Sequence, residues 1–290
     1  MVFLLGCVQA VSSALGLAVD KKIVAHRSVG SEWQALLYRF VQLLVLAPLL
    51  ALGVLSFPNG FAPLWEPWTL AMFAASIGLL FASYPFRRAA YMNEKVTVLQ
   101  PFAMSKQVFS VIVAFVFISQ ERANPWPFVF ALVALAAIVF SQVGKSGLKF
   151  NKWSLTLTAG MAILTAQSFF TLGFVKMLGG SPYYFAEGVA LVALNCLVLA
   201  GTGKWKQGKT IDRKWLAMMA GNALLGLVSV LIILELYRSH GMVASNLVQL
   251  LYVAFVFVFS WFLLGEKPTA KDIAVSAVVA GCVAAGTFLK

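Results

Sequence analysis

The chain has 290 residues, of which 61% are hydrophobic and only 11% are charged. A soluble domain carries about 25% charged residues, so this chain has too little charge to cover one soluble core. The composition therefore excludes a soluble enzyme, a nucleic-acid-binding domain and a disordered chain. The net charge of +12 is typical of Lys and Arg beside membrane helices, where they orient the helices and contact anionic lipid headgroups.

Apolar runs of helix length, bounded by charged residues, Pro and Gly, predict ten transmembrane spans. About 20 apolar residues cross a bilayer, so ten spans leave only short loops. The runs are longer than the alternating strands of a membrane barrel, and we predict an all-α polytopic membrane protein. In chain order the predicted spans are residues 2–19, 33–55, 68–90, 96–118, 126–143, 154–175, 183–202, 215–237, 242–263 and 271–289.

Most Lys and Arg residues outside the spans lie on one side of the predicted bundle, in the loops after spans 1, 3, 5, 7 and 9. Because loops rich in Lys and Arg stay in the cytoplasm, this bias predicts that both termini face outward. The first apolar run has no basic segment before it, so we interpret it as a span rather than a cleaved signal peptide. We expect a multi-pass protein of a bacterial inner membrane.

The two halves of the chain resemble each other in spacing. Glu121 and Glu266 are half a chain apart, and each is followed by a basic residue, a polar turn and the last span of its half. Aligning the second span of each half places Arg39 opposite Glu187. Each half contains five spans, an odd number, so the halves must cross the membrane in opposite senses. We predict two inverted five-helix repeats, residues 1–145 and 146–290, in one membrane domain.

Several motifs in this pattern resemble a known family. They are Arg39 inside the second span, Ala89, Ala90 and Tyr91 at the end of the third, Pro101 at the start of the fourth, the Glu121–Arg122 and Glu266–Lys267 turns, and the small residues of the last span. Over nearly its whole length the chain resembles the drug/metabolite transporter superfamily, in its ten-helix EamA-like branch. The resemblance implies a secondary carrier of a small organic metabolite, which works by alternating access around a cavity between the halves.

Four charged residues inside the predicted spans are candidates for the chemistry, because charge within the bilayer is costly and usually functional. Lys106 lies near the middle of the fourth span, where it could bind a substrate carboxylate or phosphate or form a structural ion pair. Arg39 could contact substrate or hold its helix in place. Glu187 could carry a coupling proton, bind an ammonium group or lie among the lipid headgroups. For Glu235, close to Arg238 and His240, we favour a surface cluster.

Uncharged polar residues complete the predicted site. In membrane proteins such side chains usually form hydrogen bonds between helices, but several lie on helices that line the cavity in the family. Two tyrosines near the end of the third span could close over a substrate or stack on it. The predicted binding residues of this group are Gln167, Asn222, Asn246, Gln249, Tyr84 and Tyr91.

The sequence offers no machinery for enzymatic chemistry. It has no phosphate-binding loop of the ATPase type, and its two histidines, His26 and His240, lie outside the spans. The three cysteines fall within apolar runs without metal-binding spacing. We therefore expect no enzyme activity, cofactor or metal, and we expect contact with lipids but not with nucleic acid. The two halves are already fused, so we expect a monomer.

These observations favour a secondary transporter, and specifically an exporter of an amino acid or a related zwitterion or organic anion. The buried mixture of cations and an anion points to that substrate class. The alternative is a protein that flips a lipid or lipid carrier, in which the polar residues would open sideways to the bilayer. We also expect Glu121 and Glu266 to stabilise turns at helix ends rather than to bind a ligand.

Overall fold

The structure is a computed structural model that describes residues 2–25, 30–55, 60–118, 123–141, 143–144, 147–148, 152–205, 211–267 and 269–288. The predicted turn at Glu121 and Arg122 lies outside the described residues. Within them the regular secondary structure is α-helical, apart from short 3-10 turns such as Ala62–Trp65 and a two-residue antiparallel ladder that pairs Val143 with Leu148. The predicted all-α class is thus confirmed.

The first half of the chain forms six α-helices in the described residues. They are α1 (Val2–Ala25), α2 (Ser31–Ala51), α3 (Pro67–Asn93), α4 (Val96–Ala103), α5 (Ser105–Phe117) and α6 (Trp126–Ser141). Helices α4 and α5 together occupy the fourth predicted span, which is interrupted at Met104. Met104 itself keeps right-handed helical dihedrals (φ −73°, ψ −11°), and Val96–Phe117 is long and apolar enough to cross a membrane as one segment, as predicted. Pro101 lies within α4 and cannot donate a helical hydrogen bond, which weakens the ladder next to the break.

The described part of the second half forms five α-helices. They are α7 (Lys152–Leu178), α8 (Gly180–Gly201), α9 (Arg213–Gln249), α10 (Tyr252–Leu264) and α11 (Ala270–Phe288). Helix α9 includes a kink at Gly241, whose φ of 79° suits a residue without Cβ. It therefore contains the eighth predicted span and the start of the ninth. The ninth span is then interrupted again between Gln249 and Tyr252, so it is not the single helix that was predicted.

Several helices extend beyond the apolar runs that predicted them. Helix α1 continues to Ala25 and α3 to Asn93, whereas the predictions ended at residues 19 and 90. As a result Lys21 lies in a helix and not in the loop after the first predicted span, and Arg87 and Arg88 lie more than a turn before the end of α3 rather than at its last residues. A helix continues past its apolar run where its polar side chains find partners. Lys21, for example, donates to the backbone oxygens of Tyr91 and Glu94.

Seven helical segments are long and apolar enough to cross a membrane, which supports a multi-pass membrane protein. They are Phe3–Val24, Glu32–Ala51, Pro67–Asn93, Val96–Phe117, Lys152–Leu178, Gly180–Gly201 and Arg213–Gln249. Two shorter apolar helices, Trp126–Phe140 and Tyr252–Leu264, accompany them. Many large apolar side chains lie on the outer surface, including Leu52, Phe117 and Phe262, as expected for helices that face lipid.

The helices pack in a small number of close pairs. Helix α1 packs against α9 and α10, α3 packs against α7, α2 packs against α8, and α6 packs against α11. One large cluster of buried apolar side chains runs through most of the bundle. The α6–α11 pair packs against α5, α9 and α10 but contributes no residue to the lining of the central cavity described next.

Candidate functional site

A cavity of about 480 Å³ opens among the helices. In the described part of the chain its lining residues come from every α-helix except α6 and α11. A volume of this size suits a small organic molecule. The lining includes six charged side chains, Asp20, Arg39, Arg87, Arg88, Lys106 and Glu187. Charged groups in such number are unusual inside an apolar bundle and mark this cavity as the candidate site.

The most buried charged pair in the cavity wall joins α2 to α8. Arg39 Nη2 lies 3.0 Å from Glu187 Oε1, and the two side chains are 8% and 6% exposed. At a rise of 1.5 Å per residue, Arg39 lies about 12 Å from the start of α2 and Glu187 about 11 Å from the start of α8. Neither residue is therefore at a helix end. Glu187 pairs with Arg39 inside the bundle rather than lying among the lipid headgroups, which was one alternative left open by the sequence.

Glu187 is held by neutral groups as well. Its Oε2 accepts from the Tyr183 hydroxyl at 2.9 Å and from Gln167 Nε2 at 3.4 Å. The same hydroxyl lies 3.1 Å from Thr171 Oγ1. These contacts fix the carboxylate on two sides, since buried polar groups need partners to offset the loss of water. Gln167, a predicted binding residue, thus acts here as a partner of Glu187 on the cavity wall.

Arg39 is also supported by an aromatic face and an amide. Its guanidinium lies 4.8 Å from the centre of the Tyr184 ring, a cation–π arrangement. The Tyr184 hydroxyl donates to Gln42 Oε1 at 2.7 Å, and Gln42 Nε2 donates to the backbone oxygen of Ala223 at 3.0 Å. This chain of contacts connects α2, α8 and α9 around one charge.

A second polar group surrounds Asp20 near the end of α1. Asp20 Oδ1 accepts from Gln34 Nε2 at 3.0 Å and from Asn222 Nδ2 at 3.5 Å. The Oε1 of the same Gln34 accepts from Arg88 at 2.6 Å. The amide of Gln34 therefore bridges an anion and a cation from different helices. Asn222, predicted as a binding residue, is a partner of Asp20 on the cavity wall.

Two cations in the lining are not paired in this way. Lys106 lies in the first turn of α5, and Arg87 lies in α3. No ion pair joins either of them to a carboxylate among the described residues. The Nε of Arg87 is buried without a hydrogen-bond partner. Asp20 acts on Arg87 and Glu187 acts on Lys106 from beyond ion-pair distance. A cation without a close carboxylate in a cavity favours anionic ligands, and both side chains line the cavity.

The other predicted residues fall into two sets. Tyr84, Tyr91 and Gln249 line the cavity, as do Lys106, Arg39, Gln167, Asn222 and Glu187. Asn246 does not line it. It is fully buried beside the cavity, where its Oδ1 accepts from Gln249 Nε2 at 3.2 Å and lies 3.5 Å from the Tyr237 hydroxyl.

Glu235 does not line the cavity and lies on the surface. Its Oε1 lies 3.0 Å from Arg238 Nη2, and the two side chains are 51% and 46% exposed. This is the surface cluster that the sequence favoured. Glu266 lies at the end of α10 and accepts from the backbone N–H of Thr97 at 3.2 Å, which agrees with the expected stabilising role at a helix end.

The sequence analysis missed four polar residues of the lining, Asp20, Gln34, Arg87 and Arg88. All lie near helix ends, where charge was attributed to loops and headgroups. A signal was present for Asp20, because it is the only acidic residue of a strongly basic flank. Among the described residues, no group of three or more His, Cys, Asp and Glu residues could hold a metal ion.

No protein-family model matches the chain, and no curated protein sequence matches it. The fold does have a counterpart among solved structures. A chain described as "Crystal structure of protein" shares 20% sequence identity with it over 98% of this chain and 97% of that one, with a TM-score of 0.64. At this identity the likeness shows that the two chains share a fold.

Proposed function

We propose that the protein is a secondary transporter of a small polar organic metabolite, related to the drug/metabolite transporters and working as an exporter in a bacterial inner membrane. The observation that carries the proposal is the cavity of about 480 Å³ lined by six charged side chains within an apolar helix bundle. Buried charge of this kind is expensive and is retained where a polar solute must pass.

The packing of the helices supports the proposed inverted repeat. Under the repeat, α1 corresponds to α7, α2 to α8, α3 to the first part of α9, and α6 to α11. Exchanging the halves then converts the α1–α9 contact into the α7–α3 contact and leaves the α2–α8 and α6–α11 contacts unchanged. All four are among the close pairs of the bundle. Such symmetry is typical of carriers that alternate between two open states.

The interruptions in the helices support alternating access. The fourth predicted span is interrupted at Met104, and the ninth is interrupted at Leu250 and Leu251. These positions correspond under the proposed repeat, and both interruptions adjoin the cavity through Met104, Gln249 and Tyr252. Broken helices beside a binding site are typical of secondary transporters, because the breaks let parts of a helix move separately.

The charges of the lining favour an organic anion or a zwitterion. Arg39 is neutralised by Glu187, whereas Lys106 has no carboxylate within ion-pair distance in the described part of the chain and feels Glu187 only from farther away. A substrate carboxylate or phosphate would supply that partner. Asp20 lies in the same cavity and offers a partner for an ammonium group, which an amino acid or related zwitterion carries.

A combined binding and transport measurement tests the proposal. Purified protein in detergent is screened by thermal shift against amino acids, organic acids, sugar phosphates, nucleosides, polyamines and choline-like amines, since a ligand of the folded state raises Tm by mass action. We expect a solute that raises Tm, loses its effect in Lys106→Gln and crosses the membrane of proteoliposomes. The control is Lys152→Gln, which removes an exposed cation at the start of α7.

The result that would contradict the proposal is a folded protein that neither binds nor transports any of these solutes. If lipid extracts then raise Tm, the protein handles lipid instead. Loss of folding in Lys106→Gln would indicate a structural role for this residue. The transport of solute by wild-type protein would still decide the proposal in that case.

A further inference from the structure

The tyrosines of the chain are gathered in one place. The chain contains 24 Phe, 8 Trp and 7 Tyr residues. All seven tyrosines line the central cavity, whereas none of the described Phe and Trp residues does. Tyrosines of membrane proteins are commonly found at the membrane–water interface, so this distribution is unusual. The cavity wall therefore holds aromatic rings that carry a hydroxyl, and it excludes plain ones.

The hydroxyls of these tyrosines fall into two sets. Those of Tyr183, Tyr184 and Tyr237 form hydrogen bonds to other side chains of the protein. The remaining four tyrosines form no hydrogen bond through the hydroxyl to any described residue, and they are Tyr38, Tyr84, Tyr91 and Tyr252.

The four unbonded hydroxyls are open to the cavity. None of them is among the side-chain atoms that are buried without a partner, and all four side chains line the cavity. Polar groups inside a protein are normally satisfied by protein, water or ligand, and a tyrosine hydroxyl can both donate and accept. A molecule in the cavity can therefore exchange hydrogen bonds with all of them.

The rings of the same four tyrosines make no aromatic contacts. No pair of aromatic rings among the described residues includes any of them. By contrast, Tyr183 stacks on Phe174 with ring centres 5.6 Å apart, and the guanidinium of Arg39 covers Tyr184. A ring on a cavity wall that meets no other ring offers a surface on which a flat molecule can stack.

Two of the four tyrosines lie beside the buried ion pair. Tyr38 of α2 and Tyr84 of α3 are within electrostatic range of Arg39 and of each other. A Cβ on Gly226 of α9 would overlap the Tyr38 hydroxyl, and Gly226 itself lines the cavity. The glycine thus makes room for this hydroxyl at the wall. Tyr38 and Tyr84 together present two rings and two hydroxyls next to Arg39.

A flat molecule with polar atoms along its edge fits both features, since its faces can stack on rings while its edge bonds to hydroxyls. A saturated sugar has no flat face. A simple organic cation would meet the four cations of the lining, whose two carboxylates already act on them. We infer that the substrate carries a planar heteroaromatic ring of the nucleobase type, bound against Tyr38 and Tyr84. This inference rests on the proposed transport function and narrows its substrate class.

The wild-type protein can test this inference through matched ligands. Uridine and dihydrouridine have the same sugar and the same hydrogen-bonding groups, but the ring of dihydrouridine is no longer planar and conjugated. Adenosine represents the purines, and ribose lacks a base. Thermal shift in detergent is measured over a concentration series of each. We expect uridine or adenosine to bind at least about fivefold more tightly than dihydrouridine and ribose, the usual effect of stacking one base on an aromatic side chain. Equal affinities, or binding by neither nucleoside, would overturn the inference.

Substitutions locate the ring. Tyr38→Leu and Tyr84→Leu each remove an aromatic face and should weaken nucleoside binding by about fivefold or more. Tyr84→Phe keeps the face and should keep the preference for a planar base. The control is Phe86→Leu, which removes a ring of α3 that is 38% exposed and does not line the cavity, and it should bind like wild type. Unchanged nucleoside affinity in both Tyr38→Leu and Tyr84→Leu would place the ring elsewhere and refute the assignment.

The failure of this inference is distinguishable from the failure of the proposed function. If proteoliposomes transport a solute without a ring and no nucleoside binds, the protein is a transporter and the ring inference is wrong. If a nucleoside binds as described but no solute crosses the membrane, the ring site stands and the transport function is wrong. A Tm that rises only with phospholipid vesicles, and with no nucleoside, would contradict both.

Discussion

The buried pair of Arg39 and Glu187 gives the sharpest prediction about stability. In Glu187→Gln the new amide cannot satisfy all of its neighbours. Its NH2 group would face either the N–H groups of Arg39 or the amide of Gln167, which both donate to the carboxylate now. The guanidinium would then be left as a buried cation without a counterion. Removing one partner of a buried pair costs about 3–5 kcal/mol, and we expect a loss of that size.

The double variant Arg39→Gln with Glu187→Gln separates the charge effect from the loss of contacts. It has no unpaired charge, so it should lose clearly less stability than the sum of the two single variants. The measurement is the free energy of unfolding of each purified variant in detergent, followed by tryptophan fluorescence during denaturation. The four proteins form a double-mutant cycle.

The chain contains a matched control for this cycle. Glu235 and Arg238 are the same residue types at the same 3.0 Å separation, but their side chains are about half exposed, at 51% and 46%. An exposed pair contributes about 0–1 kcal/mol, so Glu235→Gln should change stability little. If Glu187→Gln costs no more than Glu235→Gln, burial does not govern the energy of the inner pair and the reasoning is refuted.

Two further predictions concern packing and a helix end. A Cβ on Gly6 of α1 would overlap Cγ1 of Val248 in α9, so Gly6→Ala should lower the free energy of unfolding by about 1–3 kcal/mol. Thermal unfolding of the variant checks this. Adding Val248→Ala should recover part of the lost stability, and it would fail to do so only if the two helices can move apart freely. Glu266 accepts from the Thr97 N–H at the start of α4, so Glu266→Ala should lower the free energy of unfolding by about 0.5–2 kcal/mol and speed amide hydrogen exchange in α4. Glu266→Gln retains an acceptor and serves as the control. Unchanged exchange in Glu266→Ala would contradict the contact.

The apolar runs predicted the helices because a bilayer-spanning helix must be apolar for about 20 residues. They did not predict where the helices are interrupted. Met104 lies between Ala103 and Ser105, inside a run long enough to span, and the break at Leu250 and Leu251 lies inside an apolar run as well. Interruptions of this kind depend on packing between helices, which a pattern of single residues does not contain. Two signals were visible: Pro101, which cannot donate a helical hydrogen bond, precedes the break at Met104, and Gly241 suits a helical kink with positive φ.

The sequence predicted only some of the charged residues that line the cavity. Arg39 and Glu187 were recognisable because each lies well inside an apolar run, and the alignment of the halves set them opposite each other. The ends of the apolar runs hold the residues that the sequence missed, Asp20, Arg87 and Arg88. At such a position a charged residue looks the same in the sequence whether its side chain faces lipid headgroups or a cavity. Glu235 and Glu187 show the same limit, since both lie within helices but only Glu187 is on a face that packs against another helix.

The contact between Arg39 and Glu187 has a further meaning under the proposed repeat. Two residues that correspond across a two-fold axis can touch only if they lie on that axis. Identical halves would bring two arginines or two glutamates together at this point, and burying two like charges in contact is strongly unfavourable. The halves must therefore differ here, and a single fused chain allows them to differ. The opposite charges of this pair are thus a contact that the fused chain can form and that two identical five-helix units could not.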